Sequence, residues 1–386
     1  MQDPVFVAAA LCVFVAVSEW LVRKTVARHL GTALLVILVT AVAANVGLIP
    51  AGSSAEAPVP VYDGIFAYLA PLAIFLLLLP VNLRDVLKAG KSMIVLFLLG
   101  SVGVAGGIII GMWVIDGATS IGPEFRVLAG MFTGTYTGGS VNFNTIALEY
   151  DVVRDGVLYA GSIVVDNIVT TIWMVVTLAL PRVLYRFWPA RPAAVNAESE
   201  GPTLGIEIDT EELHPIDLGI LLGLGFFCIF VSDQLAAVFP AIPSAIFLTA
   251  LALILGQISW VQRLRGMRTI GMFAVYLFLA VIGAFCDLAA LSELGSLGMA
   301  LLGFTTIAVL IHGLITFLAA YVFRVDPDIA AVASQANVGG GTSALAVARS
   351  LGREDLVLPG ILVGSLGYAV GTFLGFAVVE FGLNFL

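Results

Sequence analysis

Apolar stretches long enough to cross a lipid bilayer recur along the whole chain, at about 4–22, 31–50, 63–81, 93–115, 125–150, 156–181, 216–232, 241–259, 269–286, 298–323, 328–349 and 356–382. A hydrocarbon core about 30 Å thick takes roughly 20 helical residues, so the pattern predicts an all-α polytopic membrane protein. Two of these stretches are interrupted. The first breaks into Thr133-Gly134-Thr135-Tyr136-Thr137-Gly138-Gly139-Ser140-Val141-Asn142-Phe143-Asn144, the second into Ser334-Gln335-Ala336-Asn337-Val338-Gly339-Gly340-Gly341-Thr342-Ser343. One long polar stretch, Arg191 to Asp217, carries Glu198, Glu200, Glu207, Asp209, Glu211 and Glu212 and divides the chain. The expected organisation is a first membrane repeat at 1–190, a polar cytoplasmic linker at 191–214 and a second, inverted membrane repeat at 215–386.

The two halves echo each other. Ser18-Glu19 matches Ser232-Asp233, and Asn82-Leu83 with Gly90 matches Asp287-Leu288 with Gly295. Gly138-Gly139-Ser140 matches Gly340-Gly341-Thr342, and Gly161-Ser162-Ile163-Val164 matches Gly360-Ile361-Leu362-Val363. Four matches in one order at a slowly drifting offset predict an internal duplication of six segments. Charge then sets the relative orientation. If all twelve segments cross, the 17 Lys and Arg divide almost evenly between the two sides. If each broken segment instead enters and leaves on one face, the halves become inverted. Every Lys and Arg except Arg126 and Arg154 then falls on one side, which the positive-inside rule makes cytoplasmic. Broken helices that cross fully, with one further crossing near the linker, give nearly the same division. Re-entrant hairpins are preferred because 156–190 is too short for two crossings. Both chain termini are then expected outside.

Backbone that leaves helical geometry at membrane depth must be buried in protein or line a wet cavity, because lipid satisfies no N–H or C=O group. Matched interruptions in two halves therefore point to a transporter's binding site. Thr135, Thr137, Gly138, Gly139, Ser140 and Asn142 from the first break, with Gln335, Asn337, Gly340, Gly341, Thr342 and Ser343 from the second, are the expected substrate-binding residues. They offer neutral donors and acceptors, and helix ends stopping at mid-depth add exposed N–H groups for anions and carbonyls for cations. The competing reading is close helix packing through small and hydroxylated residues. That reading suits Gly103 with Gly107, but does not explain matched Asn and Gln.

Ionisable residues within the apolar stretches are few. Asp166, in Val164-Val165-Asp166-Asn167, lies about ten residues into its span. A carboxylate there costs about 2.5–3.5 kcal/mol to insert and commonly marks an ion or proton path. Asp166 and Asn167 are the ion-coupling candidates, for Na⁺ or H⁺; the repeat counterpart of Asp166 is Ser365. His312 is expected to be a neutral imidazole bonded to a backbone carbonyl, a proton relay being the alternative. Asp287 and Asn82 are expected at span boundaries and Glu380 near the outer interface. Trp20, Trp113, Trp173, Trp188 and Trp260 read as interfacial anchors, with Trp173 a core alternative.

Composition removes other classes. Sixty per cent hydrophobic and 11% charged residues leave no room for a soluble domain, and no basic patch suits nucleic acid. Cys12, Cys228 and Cys286 lie apart in apolar surroundings without metal-ligand spacing. The start Met1-Gln2-Asp3-Pro4 has no basic region, so a cleavable signal is not expected. No Gly-x-x-x-x-Gly-Lys-Ser/Thr, His-Glu-x-x-His or Gly-x-Ser-x-Gly occurs, so neither ATP-driven transport nor hydrolysis is expected, and no cofactor is implied.

The two break sequences resemble those of the bacterial membrane family termed domain of unknown function 819, with its YjcL-like proteins. The resemblance covers the whole chain, including Pro58-Val59-Pro60-Val61-Tyr62-Asp63. That family is grouped with the cation/proton antiporter and anion transporter superfamily. The grouping implies inverted repeats, two interrupted helices in a mobile core and a scaffold that often forms homodimers. It also implies crossing broken helices, against the hairpin preference, and an Asp-Asp or Asn-Asp pair after the first of them. Asp166-Asn167 stands there in reversed order. The expected function is a secondary active transporter in the bacterial inner membrane, coupled to Na⁺ or H⁺, moving a small solute by an elevator-like mechanism. A cation/proton antiporter is the alternative, and a membrane channel belongs to a different class.

Overall fold

The computed structural model describes residues 3–25, 31–53, 57–188, 213–240, 242–286 and 295–384; all but the last two residues of the linker expected at 191–214, together with Arg28 and Asp287, lie outside them. The described residues form helices and no strand. In chain order these are α1 (Pro4–Lys24), α2 (Gly31–Asn45), α3 (Pro60–Leu78), α4 (Lys91–Val114), α5 (Phe125–Gly138), α6 (Ser140–Glu149), α7 (Gly156–Leu184), α8 (Pro215–Val238), α9 (Ser244–Leu255), α10 (Met267–Phe285), α11 (Gly295–Val322), α12 (Pro327–Val338), α13 (Gly340–Ser350) and α14 (Val357–Ala377). Eight helices among the described residues are long and apolar enough to cross a membrane, α14 counting with its flanking turns. The chain is a multi-pass, all-α membrane protein. Several helices start where a side chain satisfies the first free N–H groups. Asp3 accepts from Val5 and Phe6 ahead of Pro4, Asp155 accepts from Leu158, and Asp326 accepts from Asp328 with Pro327 at the first helical position. Asn82 caps a short turn by accepting from Arg84.

Both broken segments fold back as helical hairpins. The Phe132 and Phe143 rings are 5.7 Å apart, centroid to centroid. Eleven residues of straight helix would separate them by about 16 Å. The Asn142 side chain likewise reaches the Gly134 carbonyl at 3.1 Å. In the second hairpin Ser343 Oγ lies 3.5 Å from the Gln335 carbonyl, and Val332 and Ala344 together flank Gly360. Gly139 (φ +108°) and Gly340 (φ +76°) occupy backbone conformations that a side chain would strain.

The helices pack as two bundles, each drawn from both halves of the chain. One contains α1, α2, α3, α8, α9 and α10; the other contains α4, the α5–α6 hairpin, α7, α11, the α12–α13 hairpin and α14. At the centre of the second, α4 and α11 run antiparallel: Gly103 lies on His312, Gly107 on Ala308 and Gly111 on Phe304. In the register that aligns Gly90 with Gly295, His312 is the counterpart of Gly107 and Ala308 that of Gly103. α3 and α10 are antiparallel too, Phe66 meeting Phe278 and Phe285 while Leu77 meets Gly271. The hairpins enter from opposite ends. Arg126 and Tyr150, at the base of the first, bond to Asn384 and Glu380 after α14. Asp326 and Asp328, at the base of the second and bonded there to Arg353, meet Tyr185 after α7.

Contacts between the bundles are staggered. Gly156, the first residue of α7, abuts Phe285 and Cys286 at the very end of α10. On the other side Val81, just past the end of α3, packs with Leu253 on Ala369, a dozen residues into α14.

Candidate functional site

The hairpin tips meet in the middle of the second bundle. Gly138 seats on Gly367 and Gly341 on Gly364, so closely that a Cβ on Gly138 would fall 2.1 Å from the Gly367 backbone. Asn337 Nδ2 lies 3.5 Å from the Thr137 carbonyl, and Gly340 faces the Gly138 carbonyl. Thus α14 seals one side of the meeting point by backbone-to-backbone contact, which only paired glycines permit.

Asn142 locks the first tip. Its Nδ2 donates to the Gly134 and Gly367 carbonyls, both at 3.1 Å, and its Oδ1 accepts from Thr372 Oγ1 at 2.8 Å. Asn337 in the second hairpin is less satisfied. Ser101 Oγ gives its proton to the Phe97 carbonyl at 2.9 Å, so it accepts from Asn337 Nδ2 at 2.9 Å. That leaves Asn337 Oδ1 buried without a partner, in space that Gly100 keeps open by lacking a side chain. Gln335 takes a bond from Thr177 Oγ1 at 3.2 Å while its Nε2 has no partner. Thr137 Oγ1 is likewise buried and unpartnered.

Behind the second hairpin, His312 Nδ1 lies 2.9 Å from the Gly100 carbonyl, which can only accept, so this nitrogen carries the proton. Nε2 therefore accepts from Ser334 Oγ at 2.8 Å, and Trp173 Nε1 donates to the same Ser334 Oγ at 3.0 Å. His312 is thus hydrogen-bonded through both ring nitrogens, and Trp173 is core. Trp20, Trp113 and Trp260 are exposed at helix ends, and Trp188 donates to the Val325 carbonyl.

The other predicted site residues divide. Thr135 is buried, and its carbonyl accepts from Gly139 N at 2.7 Å. Ser343 donates to the Gly340 carbonyl at 3.0 Å. Ser140 and Thr342, in matching positions just past the tips, are exposed. Asp166 is half-buried, with Oδ1 shielded and unpartnered, and is close enough to Tyr136 and Tyr159 to couple electrostatically with both hydroxyls. Tyr136 OH and Thr170 Oγ1 are also buried without partners, whereas Tyr159 OH donates to Asn144. Asn167 does not join Asp166. It is exposed on the outer face, because adjacent helical residues point about 100° apart.

Sequence reasoning thus missed Tyr136 as the companion of Asp166, Gly100 and Ser101 as the receptor for Asn337, and Gly364 with Gly367 as the seat of both tips. Tyr136 lay inside the recognised break. The others sit in unbroken apolar helices and carry little signal beyond small size. No group of three potential metal-ligating side chains occurs among the described residues.

These features define a multi-pass membrane protein built around two opposed hairpins. Residues 7–385 match the family described as "Protein of unknown function (DUF819)", and the chain belongs to it. The uncharacterized membrane protein YjcL of Bacillus subtilis (strain 168) is 29% identical over 351 residues, 86% of this chain and 84% of that protein.

Proposed function

We propose that this protein is a secondary transporter that carries a small solute at the meeting point of the two hairpin tips. The observation behind this reading is the set of buried, unpartnered polar atoms there: Thr137 Oγ1, Gln335 Nε2 and Asn337 Oδ1. Buried polar groups normally have partners, and at membrane depth a bound solute or its water can supply them. The antiparallel pairing of α4 with α11 and of α3 with α10 supports an inverted repeat, since those helices are counterparts in the two halves. Every described Lys and Arg except Arg126 and Arg154 belongs to the end of the molecule bearing Arg353, which argues for that end in the cytoplasm and both termini outside.

The stagger supports an elevator. Equivalent contacts in the two repeats differ by a dozen residues, about 18 Å at 1.5 Å per residue. Exchanging the roles of the repeats places Val81 beside Leu356 instead of Ala369 and slides the hairpin bundle outward by that distance. Asp166, with the Tyr136 hydroxyl in electrostatic range, is the coupling group for Na⁺ or H⁺. The Asp166 carboxylate, its Oδ1 shielded without a hydrogen-bond partner, also favours a second reading, a cation/proton antiporter without an organic solute.

Proteoliposomes test these readings. Under an imposed Na⁺ or H⁺ gradient, a solute panel should reveal uptake that Asp166→Asn uncouples from the gradient. Ion exchange without any solute would favour the antiporter; uptake still gradient-driven in Asp166→Asn would remove Asp166 from the mechanism. Paired cysteines should link at positions 81 and 369 in one condition and at 81 and 356 in another. Linking only the first pair, through a full transport cycle, would rule out the elevator.

A further inference from the structure

The α4–α11 seam that brings Gly103 to His312 and Gly107 to Ala308 continues to the Arg353 end of the molecule. There the same register sets Lys91, the first residue of α4, opposite Arg324, just past the last residue of α11. Both are exposed, and neither has an acidic partner among the described residues, whereas Lys88 nearby pairs with Asp85 at 2.6 Å. Two like charges at the same end of one seam, neither with an acidic partner among the described residues, leave local positive potential unbalanced.

Arg324 is held in an unusual way. α11 ends with Val325 N bonded to the Ala320 carbonyl at 2.8 Å and Arg324 N to the Tyr321 carbonyl at 3.2 Å, a closure whose penultimate residue is usually glycine. Arg324 sits there at φ +56°, a conformation costly for a long side chain. Beside it a cleft of about 310 Å³ opens between α4 and α11, lined by Ser92, Val95, Leu96, Phe323 and Val325. Its walls are apolar, and the Trp188 ring, bonded through Nε1 to the Val325 carbonyl at 2.7 Å and stacked edge-on with Tyr321, stands where interfacial tryptophans stand.

We propose that this cleft holds an anionic phospholipid, its phosphate between Lys91 and Arg324 and one acyl chain along Val95, Leu96 and Phe323. An acyl chain matches the apolar walls, and a phosphodiester supplies the charge that the two cations lack; basic pockets between membrane helices bind such headgroups. The inference needs only that this end lie at a membrane surface, so it stands apart from the transport reading.

Delipidated protein in neutral detergent provides the test, with phosphatidylglycerol, phosphatidylcholine or inorganic phosphate added and thermal unfolding and native mass spectrometry as readouts. Phosphatidylglycerol should raise the melting temperature and appear as a retained adduct, phosphatidylcholine and phosphate should do neither, and Lys91→Ala with Arg324→Gly should weaken the response roughly 25-fold, at about fivefold per cation. Arg324→Gly guards against misfolding, since glycine suits the backbone there and should leave the lipid-free protein at least as stable. Val95→Trp, which fills the cleft but keeps both charges, should lose the adduct as well. An equal response to phosphatidylcholine, an equal response to inorganic phosphate, or an unchanged response in the charge variants would each overturn the proposal.

Discussion

The two hairpins are built to one plan and secured in opposite ways. The first is locked at its tip, where Asn142 makes three bonds that tie both of its limbs to α14. Its base is held by exposed contacts, Arg126 with Asn384 and Tyr150 with Glu380, and by a longer bond of 3.3 Å from Ala245 N to Glu149. The second is clamped at its base. Arg353 Nη1 lies 2.8 Å from Asp326 and 3.1 Å from Asp328, its Nη2 lies 2.8 Å from Asp355, and the Tyr185 hydroxyl, 2.8 Å from both Asp326 and Asp328, shares its one proton between them. These carboxylates, Asp355 foremost, raise the pKa of the Arg353 guanidinium above its ordinary value, so it stays charged. The tip of this hairpin is where Gln335 and Asn337 keep unpartnered atoms. A hairpin rigid at the base and unsatisfied at the tip suits ligand-dependent ordering, whereas the first, tied to α14 by Asn142 although Thr137 Oγ1 is unpartnered beside it, serves as its fixed counterpart.

The largest effect should come from the clamp. Arg353 is 11% exposed and Asp326 only 4%, so Arg353→Ala leaves two mostly buried carboxylates without their cation. Breaking such a pair costs about 3–5 kcal/mol. Unfolding in detergent should register that loss, while Arg126→Ala at the other base should change stability little. Equal effects at the two bases would abolish the distinction between the hairpins.

A second substitution probes the locked tip. Asn142→Ala removes three buried side-chain bonds and leaves Thr372 Oγ1 without its acceptor, an expected loss of about 2–3 kcal/mol. Asn337→Ala removes an amide whose Oδ1 is already unpartnered, so its cost should be clearly smaller. If Asn337→Ala proves the more damaging to unliganded protein, the second tip is a structural joint and the binding reading weakens.

This contrast was only half legible in the sequence. The glycine-rich breaks stood out because small polar residues interrupt apolar runs, and the shortness of 156–190, not the charge count, favoured the fold-back that the Phe132–Phe143 contact displays. Asp166 was visible for the same reason, a carboxylate among valines. Its companion was not. Tyr136 lies on another helix within electrostatic range of it, whereas Asn167, its neighbour in sequence, turns away with the helical phase. The Arg353 clamp was hidden differently. Its members are spread over Tyr185, Asp326, Asp328 and Arg353, each unremarkable in a loop or at a helix end, and only the hairpin's closure gathers them. The seat at Gly364 and Gly367 looked like ordinary small residues in a membrane helix, because nothing local says which backbone will approach.

The smallest effect tests whether the second tip has a defined shape without ligand. Gly340 holds φ +76°, yet a Cβ there would meet only the Gly138 carbonyl oxygen, at an unstrained 3.7 Å. Space is therefore available, and Gly340→Ala is opposed by backbone strain alone, about 1–2 kcal/mol. Two terms compete, since alanine also restricts the unfolded chain and by itself stabilises by about 0.4–1 kcal/mol where the native φ allows it. If the tip holds its left-handed turn, strain wins and denaturant unfolding should show a net loss near 1 kcal/mol. A net gain would mean that residue 340 relaxes to negative φ at no cost. The second tip would then lack a fixed conformation when empty, and its difference from the Asn142-locked tip would be larger than the static contacts convey.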